Sequence, residues 1–465
     1  MSQEKHLLLE KDSREKVGGG TTTTSVSAIW RSFFFLTIGA FLSFCAYNGS
    51  QNIVSSLKMK SVQGSTAVAI LYLFFTFFCL LAPFIVQKVG AKNVLMLQLL
   101  FLTLYTLSFI YPRWYTLYIA AALSGIGAGP FWVCQGLYMT DFANQYDNAT
   151  EATKGGAEAE DEGAREPASS AGLFQGYFFG IFQLTQVFGN LESSLFETVF
   201  SEESSLFFFY AIMIAFGIVL VAFVPKLSSG HGPNAPCKPL LNDPNYSIEL
   251  ENSVNEPERR DTVKDDLWTT LRILKDPKII ALLPAFFACG LEQAVMFGDV
   301  STLVSRRFGH KNVGYVLMTF GIGDSIAASL VGRLSDKYGK IPFFVAGAIT
   351  HILCCVYFFV FGQTENQMWY PLLCVAFLWG VGDAIWLSIL TTVCGELYTN
   401  ESDRGGAFSN NKLMQSIAMT VGFFITPSST TFVPKLICLF VFMVLALVGV
   451  LVSKPLRRLD RRVEG

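Results

Sequence analysis

The chain has 465 residues, of which 52% are hydrophobic, 14% aromatic and only 15% charged, against roughly 25% charged in a typical soluble domain. Its formal net charge is −2, and no basic tract interleaves with aromatic residues, so a nucleic-acid partner is not expected. The ten cysteines are scattered, nine of them inside apolar runs, which speaks against a disulfide framework and for small buried hydrophobes.

Residues 1–28 form a polar N-terminal tail containing Gly18–Gly20 and Thr21–Thr24. Within it, EKHLLL (residues 4–9) sets Glu4 four residues before Leu8 and Leu9. This fits an acidic dileucine sorting signal, a pattern that flexible tails also produce by chance. The first apolar run starts too late and runs too long for a cleaved signal peptide. Spans are expected near 29–55, 65–87, 93–111, 114–141, 171–197, 204–225, 278–305, 312–334, 341–363, 369–398, 405–427 and 432–453. About 20 apolar residues cross a hydrocarbon core of roughly 30 Å, and a soluble core does not explain a dozen such runs. The expected fold class is an all-α membrane protein with twelve transmembrane helices.

Two polar stretches interrupt the spans. Residues 142–170, with EDE and repeated Gly and Ala, read as a disordered loop. Residues 226–277 read as a linker with a short helix at Asp265–Lys275. They leave an N-terminal six-helix half (29–225), a C-terminal six-helix half (278–453) and a short tail (454–465). An even number of spans puts both ends of the chain on one side. With the termini cytoplasmic, all but seven of the 34 Lys and Arg face inward, as the positive-inside rule requires. The exceptions are Lys58, Lys60, Arg113, Arg306, Arg307, Lys311 and Lys435. The tail cations Lys454, Arg457, Arg458, Arg461 and Arg462 support the same orientation. The lipid bilayer is the first expected partner.

Polar residues are unevenly distributed. Spans 3, 6, 9 and 12 are almost wholly apolar. In span 1, Asn48, Gln51, Asn52 and Ser55 share one helical face, and in span 5 Gln183, Gln186 and Asn190 do the same. Glu292, Asp324 and Asp383 lie well inside spans 7, 8 and 10, and Lys412 lies inside span 11. A charge at mid-membrane costs roughly 2.5–3.5 kcal/mol on insertion scales, so such residues face a cavity or a partner. They are candidates for a solute, ion or proton site, against the alternative of a hydrogen-bonded network that fixes helix packing. Lys412 is expected to pair with Asp383 or, second, Glu292. Gly125, Gly127 and Gly129 are expected to serve close helix packing rather than a dinucleotide loop. The four histidines (6, 231, 310 and 351) are dispersed, and only His351 falls in a span. No phosphate loop, catalytic constellation or metal-ligand spacing is present, so neither enzymatic activity nor a cofactor is expected.

The halves echo each other. IVQKVGAKN (85–93) lies between spans 2 and 3, and GRLSDKYGK (332–340) between spans 8 and 9. The second copy, with Gly332, Arg333, Asp336, Lys337, Gly339 and Lys340, resembles the loop signature of the major facilitator superfamily. The first has Gln87 in place of the aspartate. Glycines permit the sharp bend, and Asp336 is expected to accept hydrogen bonds at a helix start or to pair with Arg333, Lys337 or Lys340. The resemblance implies two related halves with every third helix facing lipid.

Several stretches together resemble the Unc-ninety-three family, a branch of that superfamily. They are AYNGSQNIVSSL (46–57), RWYTLYIAAALSGIGAGPFWVCQGLYMT (113–140), YFFGIFQLTQVFGNLESSL (177–195), LWGVGDAIW (378–386) and GAFSNNKLMQSI (406–417). The resemblance implies a multi-pass protein that regulates or escorts other membrane proteins. One line is associated with a two-pore potassium channel complex, and another escorts nucleic-acid-sensing receptors to endolysosomes. The second line carries longer tails than residues 454–465, which favours the first. The leading expectation is therefore an accessory or regulatory protein touching potassium homeostasis, in the plasma membrane or an endolysosomal or vacuolar membrane. The rival is a secondary transporter of a small solute coupled to protons or ions, and it rests on the acids of spans 7, 8 and 10.

Overall fold

The computed structural model describes residues 25–54, 61–154, 170–199, 203–227, 263–309, 311–362, 369–398, 400–425 and 429–458. Among them the structure is built of helices. The first half holds α1 (Val26–Val54), α2 (Ser61–Val89), α3 (Ala91–Ser108), α4 (Trp114–Lys154), α5 (Ala171–Val199) and α6 (Glu203–Ala222). The linker contributes α7 (Val263–Leu274) and the one-turn α8 (Pro277–Ile280). The second half begins with α9 (Leu283–Ala294), a π-helical turn (Val295–Val300) and α10 (Ser301–Phe308). It continues with α11 (Lys311–Tyr338), α12 (Ile341–Phe361), α13 (Trp369–Glu396), α14 (Glu401–Phe424) and α15 (Ser429–Val452). In a bilayer the backbone must satisfy its own hydrogen bonds, and a helix does so within one segment.

Among the described residues, nine helices are long and apolar enough to cross a membrane. The other three predicted spans are helical but differ in kind. The α9–α10 stretch is broken by the π turn, and α5 and α14 carry more polar side chains along their lengths. Helices α3, α6, α12 and α15 turn large apolar residues outward, such as Leu100, Phe216, Leu353 and Val448. That outer position matches the expected period of three.

Glycine sets the closest approaches. A Cβ on Gly129 would lie 2.7 Å from the Cys79 backbone nitrogen, which locks α4 against α2. Between the halves, a Cβ on Gly332 would fall 2.7 Å from the Cα of Gly176 and nearer still to the Gly172 carbonyl oxygen, so α11 and α5 meet backbone to backbone. Gly332 thus lies inside a helix and serves packing; the bend belongs to Gly339, whose φ is +86°. Gly90, with φ +85°, occupies the matching bend in the first half. Only glycine enters this left-handed region freely.

The expected loop at 142–170 is corrected in its first part. Helix α4 continues to Lys154 because Phe142 and Ala143 are buried and Tyr146 packs edge-on against Trp30 and Phe174. Residues 155–169 lie outside the described residues, as do Glu4, Leu8 and Leu9 of the sorting pattern. The expected linker helix is present as α7. It docks on α14, where Asn410 Nδ2 donates to the Thr270 carbonyl at 2.9 Å and Arg272 meets Asp403 at 2.6 Å.

Candidate functional site

The acids singled out from the sequence converge. Glu292 on α9, Asp324 on α11 and Asp383 on α13 are all buried, with exposures of 0%, 0% and 1%. A Glu292 carboxyl oxygen lies within 4.8 Å of one of Asp383, and Asp324 is near enough to Asp383 for like charges to repel. Each helix delivers its acid because small residues let its backbone approach a neighbour. Gly380 of α13, one turn before Asp383, would place a Cβ 2.9 Å from the Asp324 nitrogen. Gly382 faces the His351 ring of α12.

Neutral donors hold the acids. Trp379 Nε1 donates to Glu292 Oε2 at 2.5 Å, and Gln293 Nε2 donates to Asp383 Oδ1 at 3.0 Å. The Gln183 amide of α5, from the other half, lies beside Asp324. Neither Asp324 oxygen receives a hydrogen bond of good geometry, nor does Glu292 Oε1. His351 Nε2 stands 3.4 Å from Glu292 Oε2, while its Nδ1 meets Trp386 Nε1 at 3.1 Å and the Gly347 carbonyl at 3.2 Å. Among the described residues no Lys or Arg forms an ion pair with these three acids. Carboxylates this close cannot all be ionised without compensation, and a buried uncompensated charge costs several kcal/mol. The cluster therefore requires protons or a bound cation.

Lys412 corrects the expected pairing. Its Nζ donates to Gln415 Oε1 at 2.8 Å and sits 4.8 Å from the Trp132 ring centroid of the first half. No carboxylate lies within ion-pair distance of it among the described residues. The reason is the winding of α14, which directs Lys412 at α4 and spends Gln415 Nε2 on Cys289 Sγ at 3.1 Å.

Cys289 adds a grouping that linear spacing does not show. The sequence shows no metal-ligand spacing, yet Cys289, Glu292 and Asp383 each offer a ligand atom, all within 4.8 Å of one another. Asp383 arrives from a distant helix, so linear spacing could not reveal the group. Of the other described cysteines, six are buried as expected, while Cys374 and Cys438 are exposed; Cys237 lies outside the described residues.

The predicted amide face is partly assembled. Asn48 Nδ2 donates to Thr185 Oγ1 at 2.9 Å, and Asn190 Nδ2 to the Gln186 carbonyl at 2.5 Å, so these residues join α1 to α5 and brace α5 itself. Gln186 packs its Cβ against Gly321. The side chains of Gln51 and Asn52 lie outside the described residues. An ion pair that the sequence reading missed closes the far end of the second half. Lys435 Nζ meets Asp299 Oδ2 at 2.8 Å and two carbonyls at the end of α14, Gly422 at 2.9 Å and Ile425 at 2.7 Å. Asp299 had a signal, being an acid in a predicted span, but it sits on the π turn. Glu192 of α5 was also overlooked, and its buried Oε2 is unbonded.

The loop signature acts between the halves. Asp336 accepts from Leu173 N at 2.8 Å and Gly172 N at 3.2 Å, the first turn of α5. Lys340 Nζ lies 3.7 Å from Asp336 and 3.1 Å from Glu396. Arg333 stacks 4.6 Å over the Tyr177 ring of the first half, and Lys337 turns to Tyr338 at 5.0 Å. Both expected uses of Asp336 thus occur together, with Lys340 as the cation. Gln87, its counterpart, is exposed.

Two helical halves joined across α5, α11, α2 and α14, with a buried polar centre, define a membrane protein of the major facilitator fold. The solved structure of the proton:xylose symporter XylE shares this architecture with a TM-score of 0.65, at 12% identity, over 91% of this chain and 95% of that one. The family model described as "Ion channel regulatory protein UNC-93" matches residues 55–451, and the chain belongs to the UNC-93 family. It is 28% identical to "Protein unc-93 homolog A" of Bos taurus over 84% of this chain and 86% of the relative. It is 24% identical to the "Putative potassium channel regulatory protein unc-93" of Caenorhabditis elegans over 94% of this chain and 63% of that protein.

Proposed function

We propose that this chain is a regulatory or accessory membrane protein acting on another membrane protein of the potassium channel kind. Protonation or cation occupancy of the Glu292–Asp324–Asp383 cluster sets its state. The observation that carries this reading is a charge-deficient acid cluster inside a chain of a family described by ion channel regulation. Such a protein needs an outer surface for its partner and an inner element whose state the surface reports. The exposed apolar faces of α3, α6, α12 and α15 supply the first and the cluster the second. The termini face the cytoplasm in this reading, and twelve crossings result when α5, α9–α10 and α14 are counted with the nine apolar helices.

Affinity purification from native membranes tests it. A channel subunit recovered in fixed proportion is expected, and the association should survive Asp383→Asn while losing its dependence on pH or cation concentration. Purification without any membrane-protein partner would sink the reading.

A second reading, a proton- or ion-coupled transporter of a small solute, is favoured by one observation. Gln183 of the first half lies beside Asp324 of the second, so the cluster borders the surface along which halves rock in alternating access. Purified protein in liposomes would then show gradient-driven flux that Asp383→Asn abolishes. That result from the protein alone would replace the regulatory reading.

A further inference from the structure

We infer that Cys289, Glu292 and Asp383 form a binding site for a borderline-soft divalent metal ion of the zinc type, buried in the second half. The donors come from two helices. Cys289 and Glu292 are three residues apart on α9, on one face. Asp383 comes from α13, and their ligand atoms lie within 4.8 Å of one another. His351 on α12 borders the group, with Nε2 at 3.4 Å from Glu292 Oε2, and the fourth zinc position stays open to a water or solute.

A further observation points to a ligand rather than to an acid cluster alone. Glu292 is 0% exposed, and its Oε1 has no hydrogen-bond partner. Trp386 Nε1 donates to His351 Nδ1, so the neutral ring keeps its proton on Nε2 and faces Glu292 as a donor beside the metal position.

The surrounding shell fits. Metal-ligating side chains are ordinarily oriented by outer hydrogen bonds that fix their geometry. Here Trp379 holds Glu292 and Gln293 holds Asp383. Gln415 donates to the Cys289 sulfur while accepting from Lys412. The ammonium of Lys412 thereby orients an amide whose N–H points at the sulfur that would ligate the metal. This gives a role to a buried cation that has no carboxylate partner.

The donor set selects the ion. One thiolate with two carboxylates suits zinc, whereas magnesium and calcium take oxygen ligands in greater number. Zinc–ligand bonds of about 2.0–2.3 Å imply ligand–ligand separations of about 3.2–3.8 Å. The side chains must therefore draw in by about 1 Å on binding. A divalent ion also supplies the positive charge that the cluster lacks.

The experiment uses the full-length chain, purified in detergent with an affinity tag that does not bind metal, and zinc and cadmium alone as probes. We expect one zinc ion retained per chain after dialysis, and an ultraviolet cadmium–thiolate charge-transfer band. The band should vanish in Cys289→Ser and persist in Cys134→Ser, and Asp383→Asn should weaken zinc binding by more than the roughly ten- to hundredfold that loss of an outer-shell partner costs. Zinc-edge X-ray absorption on the unaltered protein should show mixed sulfur and oxygen coordination, which covers the case of a variant that fails to fold. No retained zinc, a cadmium band that survives Cys289→Ser, or a sulfur-free first shell would each overturn the inference. Channel association or gradient-driven flux that persists without any zinc would remove this inference alone. Zinc binding without either activity would remove the functional readings alone.

Discussion

The two halves of the molecule fill their interiors with different chemistry. In the first, α1 and α5 are joined by neutral groups: Asn48 with Thr185, and α4 with α5 through the Gln135–Gln175 amide pair at 3.0 Å. The second also buries ionisable groups, among them three acids, a histidine, Lys412 and the Lys435–Asp299 pair. The same division separates the two loop signatures, with Asp336 bonded across to α5 and Gln87 exposed. Neutral amides hold a structure together whatever the pH or ion content around it. Ionisable groups couple the structure to both. Glu192 of α5 apart, the first half is thus built as a frame and the second as the responsive element.

The sharpest way to break this comparison is at Lys435. Lys435→Ala leaves Asp299 buried and unpaired, and removing one partner of a buried pair costs about 3–5 kcal/mol. Folded yield in detergent should collapse, and Lys435→Met with Asp299→Asn should recover most of it. Equal yields for the single and double variants would show that the pair does not matter.

Next in size is Asp336→Asn. The carboxylate bonds two N–H groups of α5, and hydrogen bonds to a charged group contribute about 1.5–3 kcal/mol. The variant should lower the thermal midpoint and speed cysteine cross-linking at positions that the α5–α11 contact shields. Gln87→Asp, in the other half, should leave both readouts unchanged; an equal shift there would erase the asymmetry between the loops. Smallest is Asn48→Ala. Side-chain hydrogen bonds between membrane helices average about 0.6 kcal/mol, so the thermal midpoint should fall slightly, with the same decrement at every pH. A loss that grows as pH changes would contradict the neutral character assigned to the first half.

The fold was legible because hydropathy reports directly on lipid contact. A helix must run its apolar residues continuously to cross, so the spans of α3, α6, α12 and α15 stand out even in one sequence. The acids were legible for the complementary reason, since a lone carboxyl in an apolar run is costly and has a purpose. Their partners were not. His351 and Cys289 are neutral residues that apolar helices tolerate, and only tertiary packing shows that they face Glu292. Lys412 was misread because charge complementarity suggested an acid, whereas the structure supplies an amide and an aromatic face. Lys435 is expected on the outer side at the start of a span, and that position does not reveal that its ammonium turns back over the end of α14 to meet Asp299.

The π turn at Val295–Val300 has a further consequence. Its i→i+5 winding takes in one residue more than an α turn, so it acts as a phase shifter between Glu292 before it and Asp299 near its end. Each residue of an α-helix advances by about 100° around the axis. Deleting one residue within the turn would restore ordinary winding and rotate everything beyond it by that angle. Asp299 would swing away from Lys435 while Glu292 kept its place beside Asp383. The clasp and the acid centre lie on one continuous stretch of chain, yet a single residue sets the angle between them, so a one-codon change suffices to retune one without disturbing the other.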